Sequence, residues 1–200
     1  IKLVGIGSIR FHKQALPEAK IKCGRLVKRA SGWYLFLWLD CDNKFPVKRT
    51  DDAIGIDPGF SSLLTLSNGT KIENPREFTK GKIRFAQAQR SKNYPLIRRL
   101  EERQINRRRD RNHKISRKLV ENYATIYYSD DNFNAMARRF GKSINEAGLG
   151  QLIAYLNYKS RTGGRKIVAV SSKFTTMTCS NCGAKTGPTG LVGLQVRNWE

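Results

Sequence analysis

Three groups of residues carry chemistry by their type and spacing. Asp57 ends the short apolar run Ala53-Ile54-Gly55-Ile56-Asp57-Pro58-Gly59. A carboxylate there, with Gly59 two residues on, stands at a sheet edge with room for a cation or a phosphate, or else closes a turn. Arg98 to Lys118 holds ten Lys or Arg against three acids, and its apolar stripe thins to nothing between Ile105 and Ile115. Such an excess of cations fits contact with a phosphate backbone, which gains from counterion release, better than a solvated helix laced by ion pairs. The contacts are expected from Arg98, Arg99, Arg103, Arg107, Arg108, Arg109, Arg111, Lys114, Arg117 and Lys118. Cys179 and Cys182, spaced Cys-x-x-Cys and followed by Gly183, would supply two of the four ligands of a tetrahedral Zn²⁺. A redox pair is the alternative, disfavoured because no helix N-terminus follows to activate a thiol. His113, between Asn112 and Lys114, reads as a polar contact and not a metal ligand.

Composition narrows the partners. Thirty-eight Lys and Arg against 16 Asp and Glu give a formal charge of +22 over 200 residues, with a pI near 10.3. That bias attracts polyanions and does not specify a fold, so nucleic acid is the expected partner. No run approaches the roughly 18 apolar residues of a membrane span, and no basic amphipathic helix carries an interfacial anchor's Trp and Leu face. Four cysteines in a chain this long fit a reducing compartment better than a disulfide framework. Cys23 and Cys41, in apolar strand-like surroundings, are expected to be buried free thiols.

The positioning elements follow from periodicity. Residues 1–42 read as strands: Ile6 to Phe11 alternates, Ile21 to Lys28 alternates less cleanly, and Trp33 to Leu39 is aromatic-rich with Ser31-Gly32 as its turn. A polar linker with Pro46 follows, placing a boundary near residue 50. Asp57 then ends the first of three meandering strands, the next two being Ser62 to Leu66 and Thr70 to Glu73 around the Asn68-Gly69 turn. Phe78 to Asn122 turns helical, broken near Asn93-Tyr94-Pro95; Tyr123 to Tyr128 reads as a buried strand, Asn145 to Ser160 as a helix and Lys166 to Val170 as a strand. A meander followed by alternating helices and strands predicts an α/β layer fold.

An apolar strand ending in Asp-x-Gly occurs both in RNase H-like nucleases, where the Asp holds Mg²⁺, and in actin-like ATPases, where the loop meets nucleotide phosphates. The second has no recognisable second phosphate loop here and leaves the charge and the cysteines unexplained. A basic zinc-ribbon protein that binds RNA without a guide is a further reading.

Taken in order, the pieces resemble the TnpB family, the OrfB proteins of insertion sequences, related to type V CRISPR effectors. Ile54 to Gly59, followed by Thr65 to Pro75, resembles the family's first RuvC motif and hairpin; Asn106 to Leu119 resembles its basic helix; Phe174 to Gly183 resembles the start of its zinc ribbon. Residues 1–42 are similar to the end of its wedge domain. The resemblance implies an α/β, RNase H-like RuvC domain over 51–173 with inserted basic helices, preceded over 1–50 by the end of an oligonucleotide-binding-like β-barrel and linker and followed over 174–200 by the first half of a zinc ribbon. Opening on Ile1 and stopping before a second Cys-x-x-Cys, the chain is expected to be a piece of a longer protein.

The implied activity is RNA-guided DNA cleavage in a prokaryotic cytoplasm, with guide RNA and target DNA as partners, a structural Zn²⁺, and two catalytic Mg²⁺ held by an Asp, a Glu and a second Asp. Asp57 matches the first carboxylate. The Glu position falls on Ser129, which cannot replace a metal-binding carboxylate, so Asp130, Asp131 and Glu146 are the candidates for the second. The third is expected beyond Glu200. Ser129 also raises the alternative of a nuclease-dead relative that still binds guide and target.

Overall fold

The structure is a computed structural model and describes residues 2–3, 5, 7–12, 15–40, 47, 50–175, 177–179 and 181–187. Short strands β1 (Lys2–Leu3) and β2 (Gly7–Ser8) pair antiparallel. The alternation expected from Ile6 to Phe11 forms no long strand; residues 9–12 lie outside regular structure. Strands β3 (Lys20–Arg29) and β4 (Gly32–Asp40) form a long hairpin with a register shift between Ile21 and Cys23. Among the described residues these are separate two-stranded sheets, and no barrel closes. Cys23 is exposed, contrary to the expected buried thiol, because no second layer among the described residues covers that side of the hairpin. Cys41 and most of the linker lie outside the described residues.

A five-stranded sheet forms the rest of the scaffold. Strands β5 (Ala53–Pro58), β6 (Ser62–Leu66) and β7 (Lys71–Glu73) meander antiparallel, as the Asn68-Gly69 turn predicts. Helix α1 (Glu77–Arg90) and the long α2 (Tyr94–Asn122) then cross to β8 (Thr125–Ser129), which pairs parallel with β5. The break between the helices falls where Asn93 was expected to make it: its side chain accepts a hydrogen bond from Leu96 N–H, and Pro95 occupies the first turn. Helices α3 (Phe133–Ala147) and α4 (Leu149–Thr162) lead to β9 (Lys166–Val170), parallel to β8. The strand order is β7-β6-β5-β8-β9.

Sequence periodicity placed one helix over Asn145 to Ser160, but the chain makes two. Gly148, at φ 66, is in the left-handed region where a helix stops, and α3 ends there before α4 begins. α3 itself escaped detection, its run interrupted by the non-helical Phe140 before Gly141.

Burial divides the sheet into two faces. Ile54, Ile56 and Ile126 point into a core with Leu119 and Val120 of α2 and Leu149, Leu152 and Leu156 of α4. Strand side chains alternate, so Gly55, Asp57, Tyr127 and Ser129 lie on the other face; Tyr127 is exposed there. The helices fix one face of the sheet and leave the face that carries Asp57 open.

Candidate functional site

β5 and β8 are in parallel register, with Ile56 opposite Tyr128. One step further along, Asp57, next to last in β5, and Ser129, last in β8, lie on the same face. Together with Thr65, Ser67, Val170, Ser171, Ser172 and Thr175 they line an open cleft of about 480 Å³ at the carboxyl ends of the parallel strands. Ligand sites of open α/β sheets lie at this edge.

The second carboxylate at this edge is Asp131. Ser129 Oγ donates to one of its oxygens at 2.7 Å and Ser172 Oγ to the other at 3.0 Å. The serine at the strand end thus holds a carboxylate supplied two residues later. Burial, and then the charge of Asp131, raise the Asp57 carboxyl above its ordinary value. The neighbouring negative charge disfavours the ionised form of Asp57, the electrostatic condition that a bound cation relieves.

The other candidates lie elsewhere. Asp130 is exposed, and its backbone N–H extends the sheet to Val170 C=O at 2.8 Å. Glu146 accepts from Thr79 N–H at 2.9 Å and Thr79 Oγ1 at 3.0 Å. This has a local cause: Arg76, at the N-cap of α1, makes no side-chain cap, so the third N–H of that helix takes its acceptor from α3. No group of three or more His, Cys, Asp or Glu gathers among the described residues.

The basic helix also divides. Arg98, Arg99, Arg103, Arg107, Arg109, Lys114, Arg117 and Lys118 are exposed, although Lys114 pairs with Asp110 and Arg117 with Glu121. Arg108 and Arg111 turn inward. Arg108 donates to Asn145 C=O and, at 3.0 Å, to Asn145 Oδ1; Arg111 donates to Ala147 C=O at 2.6 Å; and the fully buried Asn112 donates to Gly148 C=O at 3.0 Å. The Asn145 and Ala147 carbonyls are among the last of α3, which its own ladder leaves without N–H partners, while the Gly148 carbonyl also accepts from Leu152 N–H at 3.1 Å as α4 begins. Lys159 of α4 donates in return to His113 C=O at 2.6 Å and Ser116 Oγ at 2.8 Å. The missing apolar stripe is therefore a polar seam and does not mean that α2 has nothing to bury. His113 stacks on Tyr155 with ring centroids 4.0 Å apart, a polar and aromatic contact as its neighbours suggested.

At the far end, Cys179 and Cys182 occupy a tight loop. Cys179 N–H donates to Ala184 C=O at 2.8 Å, and Gly183 N–H to Cys179 C=O at 3.0 Å. Backbone N–H groups of Cys182 and Asn181, and then the Cys182 thiol, hold the Cys179 thiol below its ordinary value. Amide donors aimed at one sulfur suit a thiolate.

Three features had no sequence signal. Ser172 was invisible because a serine two residues past a strand marks nothing; the structural roles of Arg108 and Arg111 were hidden inside a run of identical charges; and Glu146 gave no sign of which helix end it meets.

The class defined by this arrangement is an α/β domain with a mixed sheet, a strand-end carboxylate site and a cation-rich crossover. Residues 38–139 match OrfB_IS605, described as "Probable transposase", and residues 150–200 match "Cas12f1-like, TNB domain". A "Putative RNA-guided DNA endonuclease" of Streptomyces pristinaespiralis is 31% identical over 86% of this chain and 45% of its own length. The "Putative RNA-guided DNA endonuclease InsQ" of Escherichia coli K12 is 24% identical over 92% of this chain and 53% of its own. A Cas12f1 solved with sgRNA and target DNA is similar at TM-score 0.48 and 20% identity, over 80% of this chain and 45% of that one. The chain belongs to the OrfB family of IS605-type transposon proteins, the TnpB family. It spans about half the length of these two curated relatives. No helix among the described residues is long and apolar enough to cross a membrane.

Proposed function

We propose that this chain is the nuclease-bearing part of an RNA-guided DNA endonuclease, with guide RNA and target DNA as partners in the prokaryotic cytoplasm. The observation that carries the reading is the strand-end cleft lined by Asp57, Ser129 and Ser172, whose two serines hold the carboxylate of Asp131 beside it. The strand order, with its antiparallel meander and two parallel additions, supports an RNase H-like RuvC domain. The hairpin of β3 and β4 and the knuckle at Cys179 support, respectively, the end of a wedge domain and the start of a zinc ribbon.

The donor set fits magnesium: two carboxylates whose charges repel, one already fixed by two hydroxyls, are hard oxygen ligands for a divalent cation. Asp57 and Asp131 would hold it. Bound Mg²⁺ supplies an activated water and stabilises the oxygen leaving the phosphodiester. Ser129 and Ser172 keep both oxygens of Asp131 in place, and the exposed cations of α2 hold the nucleic-acid backbone. Cys179 and Cys182 fit two ligands of a structural Zn²⁺, the amide donors to Cys179 stabilising the thiolate that zinc requires.

A second reading rests on Ser129, which stands beside Asp57 where the family resemblance implies a glutamate. In a nuclease-dead relative the same surfaces would bind guide and target without cutting. The longer protein, reconstituted with its guide RNA and a matching DNA, separates the two. Mg²⁺-dependent cleavage supports the nuclease; tight binding with intact DNA supports the binder; no guide-dependent binding rejects both.

A further inference from the structure

Gly55 sits in the middle of β5, the central strand of the sheet, where glycine weakens a strand and β-branched residues are usual. Neither the backbone nor the packing asks for it. Its φ is not positive, and a Cβ there would meet only the exposed Ser67, with its Cβ at 3.4 Å and its Oγ at 3.7 Å. No atom of Tyr127, its partner on β8, lies within 4 Å of that position, so the ring does not cover the glycine. A glycine inside a strand otherwise marks a bulge or the close approach of a ligand, and β5 pairs with β8 without a register shift.

Tyr127 stands on the open face between Gly55 and Val168 of β9. It is 40% exposed, and on its β5 side the sheet carries a strip without side-chain atoms. Both Gly55 and Tyr127 line the strand-end cleft, and Tyr127 precedes Ser129 by two residues, roughly 7 Å along β8. None of the described residues lining that cleft is Lys or Arg. A polynucleotide entering it therefore finds no cation on the cleft walls, and finds instead an aromatic ring with free space beside it. Such rings are platforms on which bases stack.

We propose that Tyr127, with the bare strip over Gly55, seats a nucleobase of the DNA that enters the cleft, next to the phosphate that Asp57 and Asp131 address. The base stacks on the tyrosine ring, and the glycine leaves room for its edge. Stacking is tolerant of sequence because every base has an aromatic face, which suits a site whose target a guide selects. Tyr127 is thus a positioning residue that takes no part in the chemistry. The proposal rests on the nuclease reading above and adds to it the contact that places the strand.

The test uses the longer protein with its guide RNA and a matching DNA, held uncut with Ca²⁺ in place of Mg²⁺, in which 5-iododeoxyuridine is scanned one nucleotide at a time along both strands. Long-wavelength ultraviolet light joins iodouracil to an aromatic ring stacked on it, and mass spectrometry locates the bond. The seat predicts crosslinks to Tyr127 from one nucleotide, or two neighbouring ones, of one DNA strand. They should fall on the order of tenfold in Gly55→Val, whose side chain fills the strip. Tyr127→Leu should slow cleavage on the order of tenfold and Tyr127→Phe restore it. An abasic site at the crosslinked nucleotide should slow the parent equally and Tyr127→Leu no further. Crosslinks that miss Tyr127, or that reach it only from iodouridine in the guide, overturn the seat and leave the nucleic-acid reading standing. So does a crosslink undiminished in Gly55→Val, or an abasic penalty that persists in Tyr127→Leu. Crosslinks to Tyr127 from DNA that stays intact in Mg²⁺ support the seat and reject cleavage, and absence of guide-dependent DNA binding removes both. Should Gly55→Val fail to fold, the crosslinks of the unmodified protein decide.

Discussion

The strand-end cleft and the solvent face of α2 distribute their charge in opposite ways. The cleft depends on two carboxylates, and each oxygen of Asp131 has its own hydroxyl donor. The face of α2 carries eight exposed cations, of which only Lys114 and Arg117 are in ion pairs among the described residues. Position matters in the first and number in the second. One substitution should therefore disable the cleft, while the helix should weaken in increments.

The largest effect is expected from Asp57→Ala in the longer protein, which should reduce cleavage to background while target binding, measured by gel shift, stays near its original level. If binding fell as far as cleavage, the cleft and the helix would not be separable regions. Ser129→Ala should act more mildly, because it removes one of the two donors that position Asp131. A loss of about ten- to a hundredfold in cleavage rate is expected, the range for groups that orient a metal ligand, with weaker Mg²⁺ dependence as the signature.

On the helix, neutralising Arg99, Arg103 or Arg107 to Gln should lower affinity and reduce the salt slope by roughly one unit for each phosphate no longer held. Arg111→Gln sharpens the contrast from within the same charge run. It should leave the slope unchanged and destabilise the fold by about 1.5–3 kcal/mol, the worth of a charge-assisted hydrogen bond, read by urea unfolding. A slope change there would mean that the inward turn of Arg111 does not describe the protein in solution.

The smallest effect concerns His113. Burial, and then Lys159 and Arg109, lower its pKa from 6.5. With the folded value below the unfolded one, the unfolded chain takes up the proton first. The stability associated with neutral His113 is complete above pH 6.5 and falls away as pH drops toward the folded pKa. His113→Gln should flatten that part of the stability profile.

Much of the scaffold was legible because its strands are short apolar runs bounded by turn residues, and Asp57 was legible because it ends one of them. The helix break at Asn93 was equally plain. The division at Gly148 was not, since one apolar periodicity runs past it and a left-handed residue leaves no trace in hydropathy. The cleft was half legible: the family resemblance led to Ser129, and only the hydroxyl contacts reveal how a serine there can retain a carboxylate. Charge counting marked α2 as basic but gave all ten cations one role, because a donor spent on the end carbonyls of α3 is identical in sequence to one facing solvent.

The most direct test of the central claim is a Mn²⁺ titration of the 200-residue chain, followed by paramagnetic broadening of its amide resonances. The account predicts early broadening centred on Asp57, Ser129, Asp131 and Ser172, lost in Asp131→Asn. Broadening that spares those residues, or persists undiminished in Asp131→Asn, would contradict the assignment of Asp131 as the second carboxylate.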